Sequence, residues 1–300
     1  GISVVGVFGV LLLGLSMTGI LAHPRIFRDA FTFRLRRGAR LTHADIHNRL
    51  SVWTSPFHIV IAFTGTMIAL SVVGSYVVAQ SSFDGDRHAV FDTVFGPEPE
   101  EDETPAALPA IARALDAMAR DFPEVEPTHV VIHNPATAGQ DLQVLARHPD
   151  RLIFAEYYMF TGDGTFTDTV GLADGTLGQQ LAASVYTIHF GSYGGTPIKV
   201  VYAILGLALT FIITSGIRIH LLRRRQQGFR TAPLEPVWAG IVWGVPGLLA
   251  VTLVLALTAP GSVPYLPLVF WGGLVVIVAG ILTGTLVPRR SPGVFSKDGS

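Results

Sequence analysis

Histidines at the borders of two apolar stretches are the residues of this sequence best suited to hold a metal or a prosthetic group. His23 ends the first stretch and His47 precedes the second. Imidazole at the edge of a membrane span is costly unless it is bonded to something. Two imidazoles at one depth on antiparallel helices could bind a haem iron from opposite faces, or each could pair with a further helix. Singly, each could equally bond a carbonyl group or a lipid headgroup, but the pair favours a cofactor.

Two more histidines are candidate ligands. His58 lies eleven residues beyond His47, which places it about 20° from the same helical face and roughly 16 Å further along a helix. It could bind a cofactor, or it could be a core histidine with its hydrogen bonds satisfied. His189 precedes the glycine-rich run FGSYGG at the outer entrance of the third apolar stretch. Glycines permit a flat ligand to approach the backbone closely, so we interpret His189 as an outer-leaflet haem ligand.

Other motifs exclude several classes of protein. His43 and His47 form H-x-x-x-H, but Ala44 stands where a zinc protease needs its glutamate base. Cysteine is absent, which excludes iron–sulfur clusters and covalent c-type haem attachment. Neither a dinucleotide fingerprint nor a P-loop is present, and the basic clusters flank apolar stretches, so nothing supports a nucleotide cofactor or a nucleic-acid partner. A redox protein of this sequence would take its electrons from a partner.

The elements that must position these histidines are membrane spans. Hydrophobic residues make up 49% of the 300 residues and charged residues only 14%, against about 25% charged in a soluble protein. A helix needs roughly 20 apolar residues to cross the hydrocarbon. Five stretches approach or exceed that length: 2–22, 53–79, 198–217, 237–257 and 266–287. We predict an all-α membrane bundle of five spans.

Charge patterning orients these spans. Residues 25–49 carry seven arginines, residues 223–230 carry four, and residues 289–300 carry three basic residues. The stretch 80–188 instead holds 18 acidic and 5 basic residues, a net charge of 5 − 18 = −13. Basic loops remain in the cytoplasm, so the acidic stretch is predicted to lie outside. Residue 1 then also lies outside, which predicts at least one further span upstream.

The outside stretch is predicted to fold as a small α+β domain inserted into the bundle. An acidic, proline-rich linker at 95–105 precedes an amphipathic helix at 106–122. Four strand-like runs follow, with a Thr-Gly-Asp-Gly-Thr turn before the last one: 129–133, 142–146, 152–160 and 166–170. We expect one helix and an antiparallel meander.

Two segments resemble the PepSY-associated transmembrane family of bacterial inner-membrane proteins. The first contains HPRIFRDAFTFR and ADIHNRLSVWTSPFHIVIAFTG, and the second is HFGSYGGTPIKVVYAILGLALTFIITSGIRIHLLRRR. The resemblance covers roughly residues 1–225, and the helix with its meander is similar to the family's periplasmic PepSY-like module. We therefore expect four parts: a helix pair with a basic cytoplasmic loop at 1–80, the periplasmic domain at 81–190, the third span with a basic loop at 191–230, and a C-terminal helix pair with a cytoplasmic tail at 231–300.

The family includes di-haem reductases that release iron from ferric siderophores, and the resemblance implies that function here. It implies two b-type haems, with His23 and His47 serving the cytoplasmic-side haem and His189 the periplasmic-side haem, while His58 remains a further candidate. Family members also carry histidines on spans upstream of residue 1, so His189 could pair with one of those. The electron donor would be a cytoplasmic reductase or a quinone, and the −13 charge would attract cationic ferric chelates.

Two other functions remain open at this point. PepSY modules also occur in peptidase propeptides, so the outside domain could bind and inhibit a periplasmic peptidase. The chain could also be a non-redox accessory of iron uptake, whose histidines line helix contacts. Haem content distinguishes the reductase from both.

Overall fold

The computed structural model describes residues 2–22, 25, 27–28, 31, 39–96, 102–229, 231 and 234–283, without the side chains of 39–43. Within those residues the helices are α1 Ile2–Leu21, α2 Ala39–Ala69, α3 Ser71–Ser82, α4 Arg87–Phe95, α5 Ile111–Asp121, α6 Leu177–Phe190, α7 Gly195–Gln226, α8 Leu234–Thr258 and α9 Leu266–Leu282, with a 3-10 helix at Pro260–Tyr265 before α9. The strands are β1 Glu126–His133, β2 Asp141–Arg147, β3 Glu156–Thr161 and β4 Phe166–Thr169.

Five of the described helices are long and apolar enough to cross a membrane. They cover Ile2–Leu21, Ala44–Ala69, Gly195–Gln226, Leu234–Thr258 and Pro260–Leu282. The predicted fold class, five apolar spans with an inserted α+β domain, is confirmed. The second predicted span differs in detail, because the apolar stretch 53–79 is divided at Leu70 between α2 and α3. Large apolar side chains on α1, α8 and α9 are exposed, as contact with lipid requires.

Glycines let neighbouring spans approach closely. A Cβ at Gly6 would lie 2.7 Å from the Leu70 side chain, and a Cβ at Gly9 would lie 2.5 Å from the Thr66 hydroxyl. Between α8 and α9, a Cβ at Gly240 would overlap the Ile281 side chain. Small residues at such crossings are the usual means of helix association in lipid, because burial of apolar side chains does not by itself bring helices together there.

The chain divides into two compact units, and α2 and α7 each contribute residues to both. The first unit comprises 1–32 with 49–209, and the second comprises 33–48 with 210–300. The first unit contains the inserted sheet, and the second contains α8 and α9.

The inserted domain is a four-stranded antiparallel sheet in the order β1-β2-β3-β4 with α5 packed on it. Its core centres on Met118, Leu142, Val144, Tyr158 and Phe160, all of them buried. These are alternate residues of β2 and β3, and α5 supplies the methionine, as the sequence pattern predicted.

Two element boundaries differ from the prediction for physical reasons. Helix α5 begins at Ile111 rather than at residue 106, because Leu108 precedes a proline and such a residue is held out of the helical conformation. Strand β3 begins at Glu156 rather than at 152. Ile153 packs instead into a second buried cluster with Leu172 and Ala183.

A buried carboxyl group orders the loop that leads into α6. Glu156 is only 2% exposed. One of its oxygens accepts hydrogen bonds from the Tyr157 and Gly171 N–H groups at 2.9 and 3.2 Å, and the other accepts from the Ala173 N–H at 2.6 Å. Three donors satisfy this buried group, so it fixes the position of 171–173 just before α6.

Candidate cofactor site

His189 lies in the last turn of α6, and its ring contacts α2. Its Nδ1 atom is 3.0 Å from the Thr64 hydroxyl oxygen. Thr64 donates its single proton to the Val60 carbonyl at 2.7 Å, so its oxygen is left to accept from Nδ1–H of the imidazole. Gly65 provides room for the ring, because a Cβ there would lie 2.8 Å from Cε1 of His189. We call this arrangement the His189 contact.

Three features fix the helix end that carries His189: the conformation of Gly191, the hydroxyl of Tyr202 and the ring of Tyr202. Gly191 ends α6 with a positive φ of 58°, and the Ser192 N–H bonds the Thr187 carbonyl at 3.0 Å, a helix termination that favours glycine. The Tyr202 hydroxyl donates to the Ile188 carbonyl at 2.5 Å. A Cβ at Gly191 would lie 3.1 Å from that tyrosine ring, so glycine is needed here for its conformation and for its size.

His47 makes an equivalent contact in the second compact unit. Its Nδ1 atom is 2.9 Å from the Ser215 hydroxyl oxygen, and Ser215 donates its proton to the Ile212 carbonyl at 3.0 Å. A Cβ at Gly216 would lie 3.0 Å from Cε1 of His47. We call this arrangement the His47 contact.

The two contacts share one chemical consequence. A hydroxyl that gives its proton to a main-chain carbonyl can only accept from the imidazole, which favours the tautomer with the proton on Nδ1 and a lone pair on Nε2. A metal-binding histidine normally has this form, with one ring nitrogen held by a hydrogen bond and the other directed at the metal. A hydroxyl followed by glycine, Thr64-Gly65 in one contact and Ser215-Gly216 in the other, builds both arrangements.

His58 is the most buried of the candidate histidines, at 4% exposure. The Thr54 oxygen lies 3.5 Å from its Nδ1, a long hydrogen bond, and Thr54 donates to the Leu50 carbonyl at 2.6 Å. Its Nε2 is buried and makes no hydrogen bond of normal geometry, although the Leu205 carbonyl approaches the ring. His58 is therefore not a fully satisfied core histidine, and its role as a haem ligand stays a prediction.

The other predictions about the candidate ligands have different outcomes. His23 lies outside the described residues, so its pairing with His47 stays a prediction. His47 belongs to one compact unit and His58 and His189 to the other. Across the described part of the chain, no group of three or more histidine, aspartate, glutamate or cysteine side chains could hold a bare metal ion. Haem iron needs only axial ligands from the protein, so single histidines of this form fit haem better than they fit an ion.

Sequence reasoning did not identify the hydroxyl and glycine partners. Thr64-Gly65 and Ser215-Gly216 each lie inside an apolar span, where a polar residue beside a glycine is a signal that a second polar group approaches. That signal would have drawn attention to both dipeptides, but it would not have said which histidine meets which.

A cavity of about 980 Å³ lies beside the end of α6, within the first unit. The residues after His189, from Gly191 to Gly195, form one wall, and the loop from Arg147 to Ile153 forms another. Its volume is at the upper end of the range for small-molecule sites. Three basic and three acidic side chains line it: Arg147, Arg151, Lys199, Glu124, Glu126 and Asp150. The acidic excess of the domain therefore lies outside the cavity lining.

Comparison with known proteins matches residues 1–224 to the family described as the PepSY-associated TM region. The chain belongs to this family. An uncharacterized protein of Pseudomonas aeruginosa is 24% identical over 295 residues, which cover 83% of this chain and 75% of the relative. The match includes both histidine contacts and the inserted domain, so the PepSY-associated protein described here is a multi-pass membrane protein of that family.

Proposed function

We propose that this PepSY-associated protein is a b-type haem protein of the bacterial inner membrane that passes electrons to ferric siderophores in the periplasm. The single observation that carries the proposal is a matching pair of contacts at His47 and His189. In each, Nδ1 lies 2.9–3.0 Å from a hydroxyl that is placed to donate to a main-chain carbonyl, an arrangement that favours a proton on Nδ1 and a lone pair on Nε2 for iron.

The residues present fit haem on a second ground. Gly65 and Gly216 each make room for an imidazole edge that a Cβ would displace, so both rings are held against a helix in one orientation. His47 and His189 would each hold one haem, and His58 is the candidate for an additional axial position. Bound haem would supply reversible one-electron transfer at each site.

Residues of this chain would also bind the ferric chelate. The 980 Å³ cavity borders the α6 end that carries His189, which suits a ferric chelate reduced next to that ligand. Reduction of ferric iron lowers its affinity for hard oxygen donors and releases the metal. The −13 charge of residues 80–188 would attract cationic chelates over anionic ones at low salt.

The proposed location follows from charge. Basic clusters at 25–49, 223–230 and 289–300 alternate with the acidic inserted domain, which is the pattern of a protein with cytoplasmic basic loops. The inserted domain and the cavity would then face the periplasm.

The test uses purified full-length protein in detergent. After reduction with dithionite and its removal, a cationic ferric trihydroxamate should reoxidise the haem and release ferrous iron to a ferrous chelator. An anionic ferric tricatecholate should react more slowly at low salt, and the difference should shrink at high salt. A protein without a Soret band after expression with ample haem would overturn the proposal and favour the peptidase-binding function.

A further inference from the structure

A second cavity, of about 580 Å³, lies between α7 and α8 within the second compact unit. Ser215 lines it, and the same serine holds His47 at 2.9 Å. Phe211, Trp238 and Trp243 supply aromatic walls. Trp243 is 79% exposed, so one wall opens on the space that lipid fills. A ligand in this cavity would touch the residue that orients His47.

Hydroxyl groups in the cavity can accept hydrogen bonds but have no proton left to donate. Thr214 donates to the Phe211 carbonyl at 3.0 Å, and Ser215 donates to the Ile212 carbonyl at 3.0 Å. A ligand that faces these oxygens must bring its own O–H or N–H group. A phosphate or carboxylate anion has no such proton to offer.

Two side chains of opposite charge complete the lining. The Glu235 carboxyl accepts from the Thr231 hydroxyl at 2.7 Å through one oxygen, which leaves the other oxygen to accept from a ligand. Arg218 makes no ion pair with any residue that the structure describes, and its guanidinium can donate to a ligand oxygen. A neutral ring with oxygens on opposite sides matches both groups, whereas a charged ligand would meet one like charge.

We propose that this cavity binds an isoprenoid quinol, which is the electron donor that the proposed function requires. The ring stacks on the aromatic wall, the hydroxyls donate to Thr214 and Glu235, and the apolar tail leaves past Trp243 into lipid. The reaction breaks two O–H bonds and gives quinone, two protons and two electrons. Glu235 accepts the first proton and water takes the second. Two ferric chelates, as the proposed function has it, take one electron each and become ferrous.

Binding is tested without any redox turnover. Decylubiquinol added without oxygen to the dithionite-reduced, detergent-purified full-length protein should quench tryptophan fluorescence in a saturable manner. Ala239→Phe places a ring in the cavity, since Ala239 lines it, and should weaken binding at least tenfold. Gly247→Ala is the matched control on the same helix, because a Cβ there meets nothing within 4 Å. Equal binding by wild type and Ala239→Phe would overturn the site.

Electron donation is tested with two reductants. Decylubiquinol should reduce the wild-type protein and drive ferric chelate reduction, while Ala239→Phe should lose at least tenfold of that rate and keep the dithionite-driven rate. Glu235→Gln keeps an oxygen that accepts a hydrogen bond, so it should bind decylubiquinol within about threefold of wild type. It should lose at least tenfold in the quinol-driven rate because the proton acceptor is gone.

The outcomes separate the two proposals. Dithionite-driven reduction without decylubiquinol binding would overturn the quinol site and leave the proposed function standing. Saturable binding that Ala239→Phe abolishes, in a protein that reduces no chelate with either reductant, would overturn the proposed function and retain the cavity as a quinol site. A phospholipid that copurifies in the cavity and that decylubiquinol does not displace would overturn the quinol assignment.

Discussion

If the proposed function holds, Gly65→Ala should remove one of the two proposed haems by displacing a single imidazole. The new Cβ would lie 2.8 Å from Cε1 of His189, whereas carbon atoms in contact sit about 3.5–4.0 Å apart. The ring must therefore recede by about 0.7–1.2 Å. That movement stretches the 3.0 Å bond from Nδ1 to Thr64 beyond the range of a useful hydrogen bond.

The expected magnitude follows from this overlap. Overpacking of this kind costs about 1–3 kcal/mol, and about 1.4 kcal/mol corresponds to tenfold in affinity. Haem held by His189 should therefore bind about 5- to 150-fold more weakly. The His47 contact involves other residues in the other compact unit, so its haem should be retained.

The assay compares haem per chain, the ferrous absorbance spectrum and a reductive titration for purified wild type, Gly65→Ala and Gly74→Ala. Gly74 lies in α3, and a Cβ there meets nothing within 4 Å, so this control should keep wild-type haem. Gly65→Ala should hold about half the haem and titrate as one component. Wild-type haem content and two unchanged potentials in Gly65→Ala would show that the His189 ring holds no iron.

Three further predictions concern the supports of the site. Thr64→Val keeps the shape of the side chain but removes the oxygen that accepts from Nδ1–H of His189. It should weaken haem binding at His189 about 10- to 100-fold, as loss of a ligand's hydrogen-bond partner commonly does. Thr64→Ser keeps the hydroxyl and should bind haem as the wild type does. Glu156→Ala leaves three buried N–H groups without an acceptor and should lower the free energy of unfolding of the inserted domain by about 2–4 kcal/mol, measured by urea titration. Burial, together with the nearby Glu156 carboxyl, raises the pKa of Tyr158 to about 12. Between pH 10 and 12 the unfolded chain releases this proton while the folded domain keeps it. The free energy of unfolding is therefore at its full value below pH 10 and falls by about 1.4 kcal/mol per pH unit between pH 10 and 12. Tyr158→Phe should remove that decline.

Each of these three predictions has a result that would contradict it. Equal haem retention by the valine and serine variants at position 64 would mean that the hydroxyl does not set the tautomer. A Glu156→Ala domain as stable as wild type would show that water replaces the carboxyl group in the loop. An alkaline stability profile unchanged in Tyr158→Phe would contradict the raised pKa.

The spans and the sheet could be predicted because their signals are local. A run of about 20 apolar residues needs no partner to be recognised, and β2 and β3 show the two-residue alternation of a half-buried strand. Helix α6 is not predicted from the sequence, although Thr176 and Gln179 form a capping box at its start. The reason is that the pattern of a short apolar helix resembles that of the strands and loops around it.

The histidine contacts could not be derived from the sequence because their partners are distant along the chain. His47 meets Ser215 across 168 positions, and His189 meets Thr64 across 125. Nothing in the local sequence of either histidine specifies which hydroxyl it meets. The sequence indicated the ligand candidates, and the structure added the hydroxyls that Nδ1 of each ring contacts.

Haem stoichiometry in the purified full-length protein and in two single variants tests the central claim most directly. The wild type should contain two b-type haems per chain, and His47→Ala and His189→Ala should each contain one, with different remaining potentials. Two haems retained in either variant would contradict the assignment of that histidine, and a wild type without haem would contradict the account as a whole.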